Sequence, residues 1–202
     1  MLKVLLVDDQ NLVREALAAL LELTGEVEVS AQASNGNQAL ELLEQHPEID
    51  ILLTDIEMPE MDGLSLCENA QKLYPQLLVC ILTTFGRSGY VQRALSAGAR
   101  GFLVKDAPSK ELVTALEKIK AGQKVIDPQL AVEALSLPNS PFTQREKEIL
   151  TAFTDSATVA EVAAKLFLSP GTVRNHISNI ISKTNAKNRA EAARIAKENG
   201  WI

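Results

Sequence analysis

Short apolar segments alternate with amphipathic helical patterns five times within residues 1–123, and this alternation constrains the fold more than any other feature of the chain. Consecutive parallel strands need crossover connections, so repeated strand–helix units predict an α/β fold with a five-stranded parallel sheet and helices on both faces. A flavodoxin-like strand order is the natural choice. The expected strands are 4–7, 27–33, 51–54, 77–83 and 101–104, and the expected helices are 13–21, 38–45, 64–73, 90–97 and 109–121.

The alternation stops near residue 123, and a segment with proline at both ends follows. Asp127-Pro128 and residues 137–141 bracket a short helical pattern near residues 130–135, which is typical of a linker of moderate stiffness. We therefore expect three parts in the chain, a first domain at 1–123, a linker at 124–141 and a second domain at 142–202.

The second domain contains four helix-start signals and no strand pattern. Each signal pairs an N-cap residue with a Glu three positions later or with a Pro at the first helical position. The pairs are Thr143 with Glu146, Thr158 with Glu161, Ser169 with Pro170, and Asn188 with Glu191. Four helices in about sixty residues make a small all-α bundle, which is too small for an enzyme core of any size.

Hydropathy argues against a membrane protein, and the charge pattern leaves nucleic acid open as a partner. No apolar run approaches the roughly 18 residues of a membrane span, and no signal-peptide pattern precedes the first strand, so we expect a cytoplasmic protein with no membrane partner. The net charge is −6, but 7 basic and 2 acidic residues stand from Lys165 onward. Such a segment suits a nucleic-acid module, or is simply a solvated face. Cys67 and Cys80 are expected to be buried free thiols.

Polar residues follow four of the five expected strands at their carboxyl ends. They are Asp8-Asp9, Asp55, Thr83-Thr84 and Lys105. The carboxyl ends of parallel strands share one edge of a sheet, so these side chains would line a single crevice. Asp55 alone would be interpreted as a turn or helix-cap residue, and only this convergence favours a site.

Three carboxylates in one crevice repel one another and require a cation. Mg²⁺ is the most plausible ion, because it prefers oxygen ligands and binds through one or two carboxylates together with phosphate oxygens. Lys105 supplies a second cation, and the Thr83 hydroxyl can donate a hydrogen bond to a phosphoryl oxygen. This chemistry predicts phosphoryl transfer with an Asp as the nucleophile.

The pattern of two Asp, one Asp, Thr and Lys, with Met58-Pro59 after the middle Asp, resembles the receiver domain of two-component response regulators. The resemblance implies that Asp55 is the phosphoacceptor. The implied ligands of Mg²⁺ or Mn²⁺ are the side chains of Asp9 and Asp55, the backbone carbonyl of Glu57 and, through water, Asp8. No enzymatic activity is expected beyond metal-dependent self-phosphorylation and slow self-dephosphorylation at Asp55.

The same resemblance assigns the residues that bind the phosphoryl group and switch with it. They are Thr83, Lys105, Phe102 and, sharing the hydroxyl role, Thr84. Phe102 would turn inward on activation, while Glu57 and Phe85 would flank the path of the attacking water and set the lifetime of the phosphoryl group. One departure is that Asp106 follows Lys105 where many receivers have Pro.

Residues 170–185 form a helical pattern with two different faces. The apolar face consists of Val173, Ile177, Ile180 and Ile181, and the polar face of Arg174, Asn175 and Ser178. An α-helix fits the major groove of DNA, where Arg and Asn can contact guanine and adenine edges. Lys183, Lys187 and Arg189 cluster beyond this face and suit phosphate contacts. The alternative is a surface helix of a small bundle with solvated polar residues.

Residues 142–201 resemble the LuxR-type helix-turn-helix of the NarL/FixJ group, and this resemblance favours DNA binding. The matching residues are Thr143, Arg145, Glu146, Ile149, Leu150, Ala163, Leu168, Ser169, Thr172, Val173, His176, Ile177, Lys183 and Arg189. Thr172 and His176 are therefore included among the expected DNA-side residues, His176 as a structural or phosphate-contacting group. Arg174 replaces the usual Lys, and residues 155–157 replace a Gly-containing turn. Residues 82–106 and the ending KENGW look most like the DesR-type regulators of membrane-lipid genes.

Together the two resemblances imply a phosphorylation-activated transcription regulator. A sensor histidine kinase would phosphorylate Asp55, and the protein would bind double-stranded promoter DNA as a homodimer. One alternative is a phosphorylation-independent, receiver-type switch that controls DNA binding through a partner protein. Another is a haloacid-dehalogenase-like phosphatase, which needs a second Asp two residues after its nucleophile, and Asp8-Asp9-Gln10 lacks this spacing.

Overall fold

The computed structural model of the chain describes residues 1–84, 88–136, 140–153 and 158–202. The chain divides into two compact units, one made up mainly of residues 1–134 and one made up mainly of residues 135–202. Phe85 and residues 155–157, which carried two of the sequence interpretations, lie outside the described residues. None of the described helices has the length and apolar character needed to cross a bilayer.

The first unit is a parallel sheet with the strand order β2-β1-β3-β4-β5-β6. The strands are β1 (Leu2–Val7), β2 (Val27–Ala33), β3 (Ile51–Thr54), β4 (Leu78–Thr83), β5 (Gly101–Val104) and β6 (Val125–Ile126). The helices are α1 (Asn11–Glu22), α2 (Gly36–Gln45), α3 (Gly63–Leu73), α4 (Ser88–Ser96), α5 (Ser109–Lys120) and α6 (Pro128–Ser136). The parallel α/β class and the flavodoxin-like order are confirmed, but the described sheet has six strands where five were expected.

The central strands are apolar along their whole length because both of their faces are buried. In β3, Leu52 packs in one hydrophobic cluster, while Ile51 and Leu53 pack in the other. The first cluster is closed by α2, α3 and α4, and the second by α1 and α5. A strand that is covered on both sides loses the alternation of polar and apolar residues, which explains the continuous ILLT run.

The first unit continues beyond residue 123, into the segment that was expected to be a linker. The two residues of β6 pair with β5, and the Asp127 amide donates a hydrogen bond to the Phe102 carbonyl. Asp127 then accepts hydrogen bonds from the Gln129 and Leu130 amides, and Leu130 is buried in the first hydrophobic cluster. These contacts exclude a free linker at the start of the 124–141 segment, because a buried leucine and a strand pair hold it against the sheet.

The second unit contains the helices α7 (Gln144–Ala152), α8 (Val159–Lys165), α9 (Pro170–Thr184) and α10 (Arg189–Glu198). The expected caps are present: Thr143 and Thr158 form reciprocal capping boxes with Glu146 and Glu161, and Ser169 accepts a hydrogen bond from the Thr172 amide. Asn188 also caps its helix, but the Glu191 carboxylate accepts from the Lys187 amide, one residue before the N-cap. The four expected helix starts are therefore confirmed.

The core of the second unit forms around α9. Val173 and Ile180 are fully buried, and Ile177 and Ile181 pack against the same cluster, so the predicted apolar face is the packed face. Trp201, the only tryptophan of the chain, contacts Phe142 edge-on, with 5.4 Å between the ring centroids. Its fluorescence will therefore report on unfolding of this unit alone.

Candidate functional site

The carboxyl ends of β1, β3 and β5 bring two acids and a lysine into contact. The Lys105 Nζ lies 2.6 Å from Oδ2 of Asp8 and 2.9 Å from Oδ2 of Asp55. Asp8 follows β1, Asp55 follows β3 and Lys105 follows β5, and none of the three side chains is more than 8% exposed. The strand ends therefore converge, as predicted from the sequence.

Sheet register is what sets these distances. Val7 and Thr54 are partners in adjacent strands, and the Asp55 amide donates to the Val7 carbonyl at 2.9 Å, so the two acids that follow these residues lie side by side. The Lys105 amide likewise donates to the Thr83 carbonyl at 2.8 Å. Backbone pairing thus positions the residues that carry the charged side chains.

Asp9 completes a group of three carboxylates. One oxygen from each of Asp8, Asp9 and Asp55 lies within 4.8 Å of the others, with Asp8 and Asp55 buried and Asp9 exposed. When ionised, three carboxylates and one ammonium leave two net negative charges, which one divalent cation would neutralise. Closely spaced carboxylate oxygens that are open to solvent on one side suit a hard cation that retains water, such as Mg²⁺ or Mn²⁺.

Burial and hydrogen bonding shift the pKa values of this group in opposite directions. Burial raises the pKa of Asp55 above its ordinary value, although hydrogen bonds from Lys105 and the Ile56 amide act in the opposite direction. Burial would lower the pKa of Lys105, but its hydrogen bonds to Asp8 and Asp55 outweigh that effect and raise it. Lys105 therefore stays cationic at neutral pH, while the Asp55 carboxylate is stabilised less than a solvated one.

The other expected pocket residues occupy different environments. Thr83 is buried at the end of β4, Thr84 is exposed, and Phe102 is fully buried in the first hydrophobic cluster. Glu57 is exposed on the loop after β3. The described backbone contains no cis peptide bond, so the peptide that joins Lys105 to Asp106 is trans.

Two residues that support this pocket were not identified from the sequence. The Arg14 guanidinium donates to the Asp8 carbonyl and to the Asn11 side chain, and so ties the start of α1 to the acidic loop. Gly63 starts α3 directly against the residue that follows β3, where an added Cβ would lie 1.9 Å from the Asp55 carbonyl oxygen. The sequence gives no sign of this role, since a close tertiary approach leaves no separate sequence pattern.

Replacing Gly63 by Ala is expected to destabilise the first unit by about 2 kcal/mol or more, because a methyl group cannot fit at that distance without moving the backbone of Asp55. Urea unfolding followed by far-UV circular dichroism measures the change. Gly171→Ala is the matched control, since its added Cβ would meet only the Ser169 hydroxyl at 3.6 Å. Equal unfolding midpoints for Gly63→Ala and the wild type would contradict the close contact.

The polar face of α9 is exposed to solvent, as predicted from the sequence. Arg174, Asn175 and Ser178 are exposed, and Thr172 and His176 are partly buried at its border. This exposed face lies opposite the buried Val173 and Ile180 side chains. A rigid helix with one packed side therefore presents an Arg, an Asn and a Ser to solvent.

Two of the three expected phosphate-contacting residues have partners within the chain. The Lys183 Nζ lies 2.6 Å from Oε2 of Glu146, and the Arg189 guanidinium stacks 4.0 Å above the Phe153 ring centroid. Lys187 is exposed. The structure thus gives Lys183 and Arg189 a packing role, and Lys187 remains the plainest candidate for a phosphate contact.

The Lys183–Glu146 pair should make the stability of the second unit depend on pH. Burial would raise the pKa of Glu146, but hydrogen bonds from Lys183 and Thr143 outweigh it and hold the pKa below its ordinary value of 4.5. A lowered folded-state pKa contributes stability that is present above about pH 4.5 and is lost as the pH falls through the folded pKa. Lys183→Met should cost about 1–3 kcal/mol at pH 7, because a carboxylate that is only 3% exposed loses its cation.

Thermal unfolding followed by Trp201 fluorescence at pH 7 and near pH 4 tests this coupling. The difference between Lys183→Met and the wild type should shrink at the lower pH, where protonation of Glu146 removes the need for a cation. A difference that is the same at both pH values would mean that only the packing of the lysine chain matters.

Two family profiles match the chain. Residues 4–117 match the family described as "Response regulator receiver domain". The chain belongs to the response-regulator family. Residues 140–196 of the regulator match "Bacterial regulatory proteins, luxR family", which adds a LuxR-type DNA-binding domain.

Similar proteins align with the regulator over nearly their full length. The regulator is 43% identical over 203 residues to "Uncharacterized transcriptional regulatory protein YvfU" of Bacillus subtilis and 38% identical over 202 residues to "Transcriptional regulatory protein DesR" of the same organism, with 100% of each chain covered. It also resembles the crystal structure of the response regulator ChrA from a heme-sensing two-component system, with 33% identity, a TM-score of 0.60 and coverage of 100% and 98% of the two chains.

These matches identify a transcription regulator of a two-component system and confirm the expected NarL/FixJ, DesR-like branch. The receiver match also removes the reason for considering a haloacid-dehalogenase-like phosphatase. The regulator therefore combines an acidic, lysine-bridged pocket in one unit with a helix-turn-helix in the other.

Proposed function

We propose that the regulator is switched by phosphorylation of Asp55 by a sensor histidine kinase and then binds promoter DNA as a homodimer. The observation that carries this proposal is the Lys105 ammonium between the Asp8 and Asp55 carboxylates, beside the solvent-exposed Asp9. Asp55 could accept a phosphoryl group, Lys105 could neutralise part of its charge, and the exposed Asp9 could bind a metal ion that neutralises the rest.

The chemistry is an exchange of one phosphorus bond for another. An oxygen of Asp55 forms a bond to phosphorus as the bond from phosphorus to the kinase histidine nitrogen breaks, which leaves an acyl phosphate on Asp55 and a free histidine. The Lys105 ammonium is within reach of the product oxygens, and the Thr83 hydroxyl, with Thr84 beside it, can donate to one of them.

A divalent cation would be held mainly by the three carboxylates of Asp8, Asp9 and Asp55. Asp9 and Asp55 would bind Mg²⁺ or Mn²⁺ through their side chains, Glu57 through its backbone carbonyl and Asp8 through water. The ion would neutralise charge on the phosphoryl oxygens. Lys105 would then balance the remaining carboxylate charge from the buried side of the pocket.

A direct test combines a small phosphodonor with mass spectrometry. Wild-type protein incubated with acetyl phosphate and Mg²⁺ should gain one phosphoryl group, on the peptide that contains Asp55, and should gain none in excess EDTA. Acyl phosphates are cleaved by hydroxylamine, so the gain should disappear on that treatment. A hydroxylamine-stable gain, or one on another peptide, would refute Asp55 as the phosphoacceptor.

Activation is proposed to act by population shift. A phosphoryl group at Asp55 would stabilise the state in which Thr83 approaches the phosphoryl group and Phe102 is held in its buried position. In that state two receiver units would associate. Two helix-turn-helix units held together would bind two half-sites about one helical turn apart.

Light scattering with and without beryllofluoride, an analogue of the bound phosphoryl group, tests this coupling. The expected result is a shift from monomer to dimer that needs both beryllofluoride and Mg²⁺. An oligomeric state and DNA affinity that do not respond to beryllofluoride would favour the phosphorylation-independent alternative, in which a partner protein controls the receiver.

A further inference from the structure

Phe167 lies in the turn between α8 and α9 and combines two unfavourable features. Its side chain is 96% exposed, and its backbone has φ of 56°, in the left-handed region. Bulky residues rarely adopt this conformation, because the Cβ crowds the backbone, whereas Asn adopts it with little penalty. Asn185, at the other end of α9, is such a case, with φ of 52°. A strained and exposed aromatic is most simply explained by a ligand contact.

The turn holds Phe167 firmly in this position. The Phe167 amide donates to the Ala164 carbonyl and the Leu168 amide to the Ala163 carbonyl, at 3.2 and 2.8 Å. The Arg145 guanidinium donates to the Leu166 carbonyl at 2.7 Å. Leu168 packs against the hydrophobic cluster of the second unit, so the side chain of the preceding Phe167 is directed to solvent. Because the backbone of the turn is already held, binding would restrict only the two side-chain torsions of Phe167.

The surroundings of Phe167 favour a polyanion over an apolar protein groove. Residues 162–190 contain five basic side chains and no acidic one. Among the described residues of the second unit, Phe167 is the only large apolar side chain that is exposed, so no apolar patch surrounds it. It stands three residues before Pro170, the first residue of the helix that presents Arg174 and Asn175.

We propose that Phe167 is a specificity-determining residue of the DNA interface. Its ring would pack against the 5-methyl group of a thymine beside the bases contacted by α9. The thymine methyl is the apolar group that base pairs present in the major groove, so it is the natural partner for an aromatic ring there. This inference rests on the proposed DNA-binding function of α9 and adds a thymine preference at the edge of the site.

The test uses full-length protein activated with beryllofluoride and Mg²⁺. A duplex is first selected by the wild type from a library of random 20-bp sequences, and affinities for it are then measured by fluorescence anisotropy. Phe167→Asn should bind about tenfold more weakly than the wild type. Because Asn tolerates the left-handed region, the unfolding temperature reported by Trp201 should not fall.

Thymine-to-deoxyuracil duplexes, which lack only the methyl group, make the test specific. Wild-type affinity should fall about fourfold at one or two thymine positions, whereas Phe167→Asn should bind the thymine and uracil duplexes equally. Equal affinity of the two proteins for the selected duplex would overturn the proposal, as would indifference of the wild type to every uracil substitution. If Arg174→Ala also binds that duplex as tightly as the wild type, the reading role of α9 itself fails, which separates the two hypotheses.

Discussion

Replacing Asp55 by Asn is expected to abolish phosphoryl uptake while leaving the first unit at least as stable as in the wild type. The amide has no anionic oxygen to attack phosphorus, so the mass gain from acetyl phosphate should be lost completely. The variant should be as stable as the wild type, because burial raises the pKa of Asp55 despite its hydrogen bonds to Lys105 and the Ile56 amide. An acid whose folded-state pKa is raised destabilises the fold when ionised, and this cost is relieved only as the pH falls through that pKa.

At neutral pH and in EDTA, the free energy of unfolding of Asp55→Asn should therefore equal that of the wild type or exceed it by up to about 1 kcal/mol. Lys105 keeps Asp8 as a partner in the variant, so no buried cation is left alone. Asp50→Asn is the matched control, because Asp50 pairs with Lys120 at the opposite end of the same strand. The control should still gain the phosphoryl group, and a mass gain that persists in Asp55→Asn would disprove the assignment of the phosphoacceptor.

The pocket was predictable because its geometry follows from local pattern and sheet topology. The bounds of β3 and β5 agree with the sequence prediction, since buried parallel strands are continuous apolar runs that end where polar residues begin. The predicted bounds of the edge strand β2 are also correct, although its apolar residues alternate with polar ones. Once the strands are parallel, their carboxyl ends must meet at one edge, and the residues that follow them must approach one another. The 2.6 and 2.9 Å contacts of Lys105 are the result.

The features that escaped prediction depend on contacts between distant parts of the chain. β6 has two residues, too few to show a period, and exists because β5 offers it an open edge. The pairing of Lys183 with Glu146 looks the same in sequence as a free lysine near DNA, because charge alone does not reveal a partner 37 residues away. The close approach of Gly63 to the Asp55 carbonyl likewise appears only when the loop is folded.

Removing the Arg174 side chain should have the largest effect on DNA recognition. Arg174→Ala is expected to weaken binding to the selected duplex by about 10- to 100-fold, because a bidentate contact to a guanine edge would be lost. Arg174 is exposed, while neighbouring Val173 is fully buried in the core, so the variant should keep its unfolding temperature. Binding to unrelated DNA should change much less, so the specificity ratio should fall together with the affinity.

Lys187→Ala provides the contrast that distinguishes base contacts from phosphate contacts. An exposed lysine that contacts only phosphate should weaken binding to selected and unrelated duplexes alike and lower the salt dependence of log K by about one unit. Arg194→Ala makes the same substitution on the exposed surface of α10, away from the polar face of α9. It should change neither the DNA affinity nor its salt dependence. If Arg174→Ala behaved like Lys187→Ala, α9 would contact the backbone only, and sequence recognition would have to come from other residues of the helix-turn-helix.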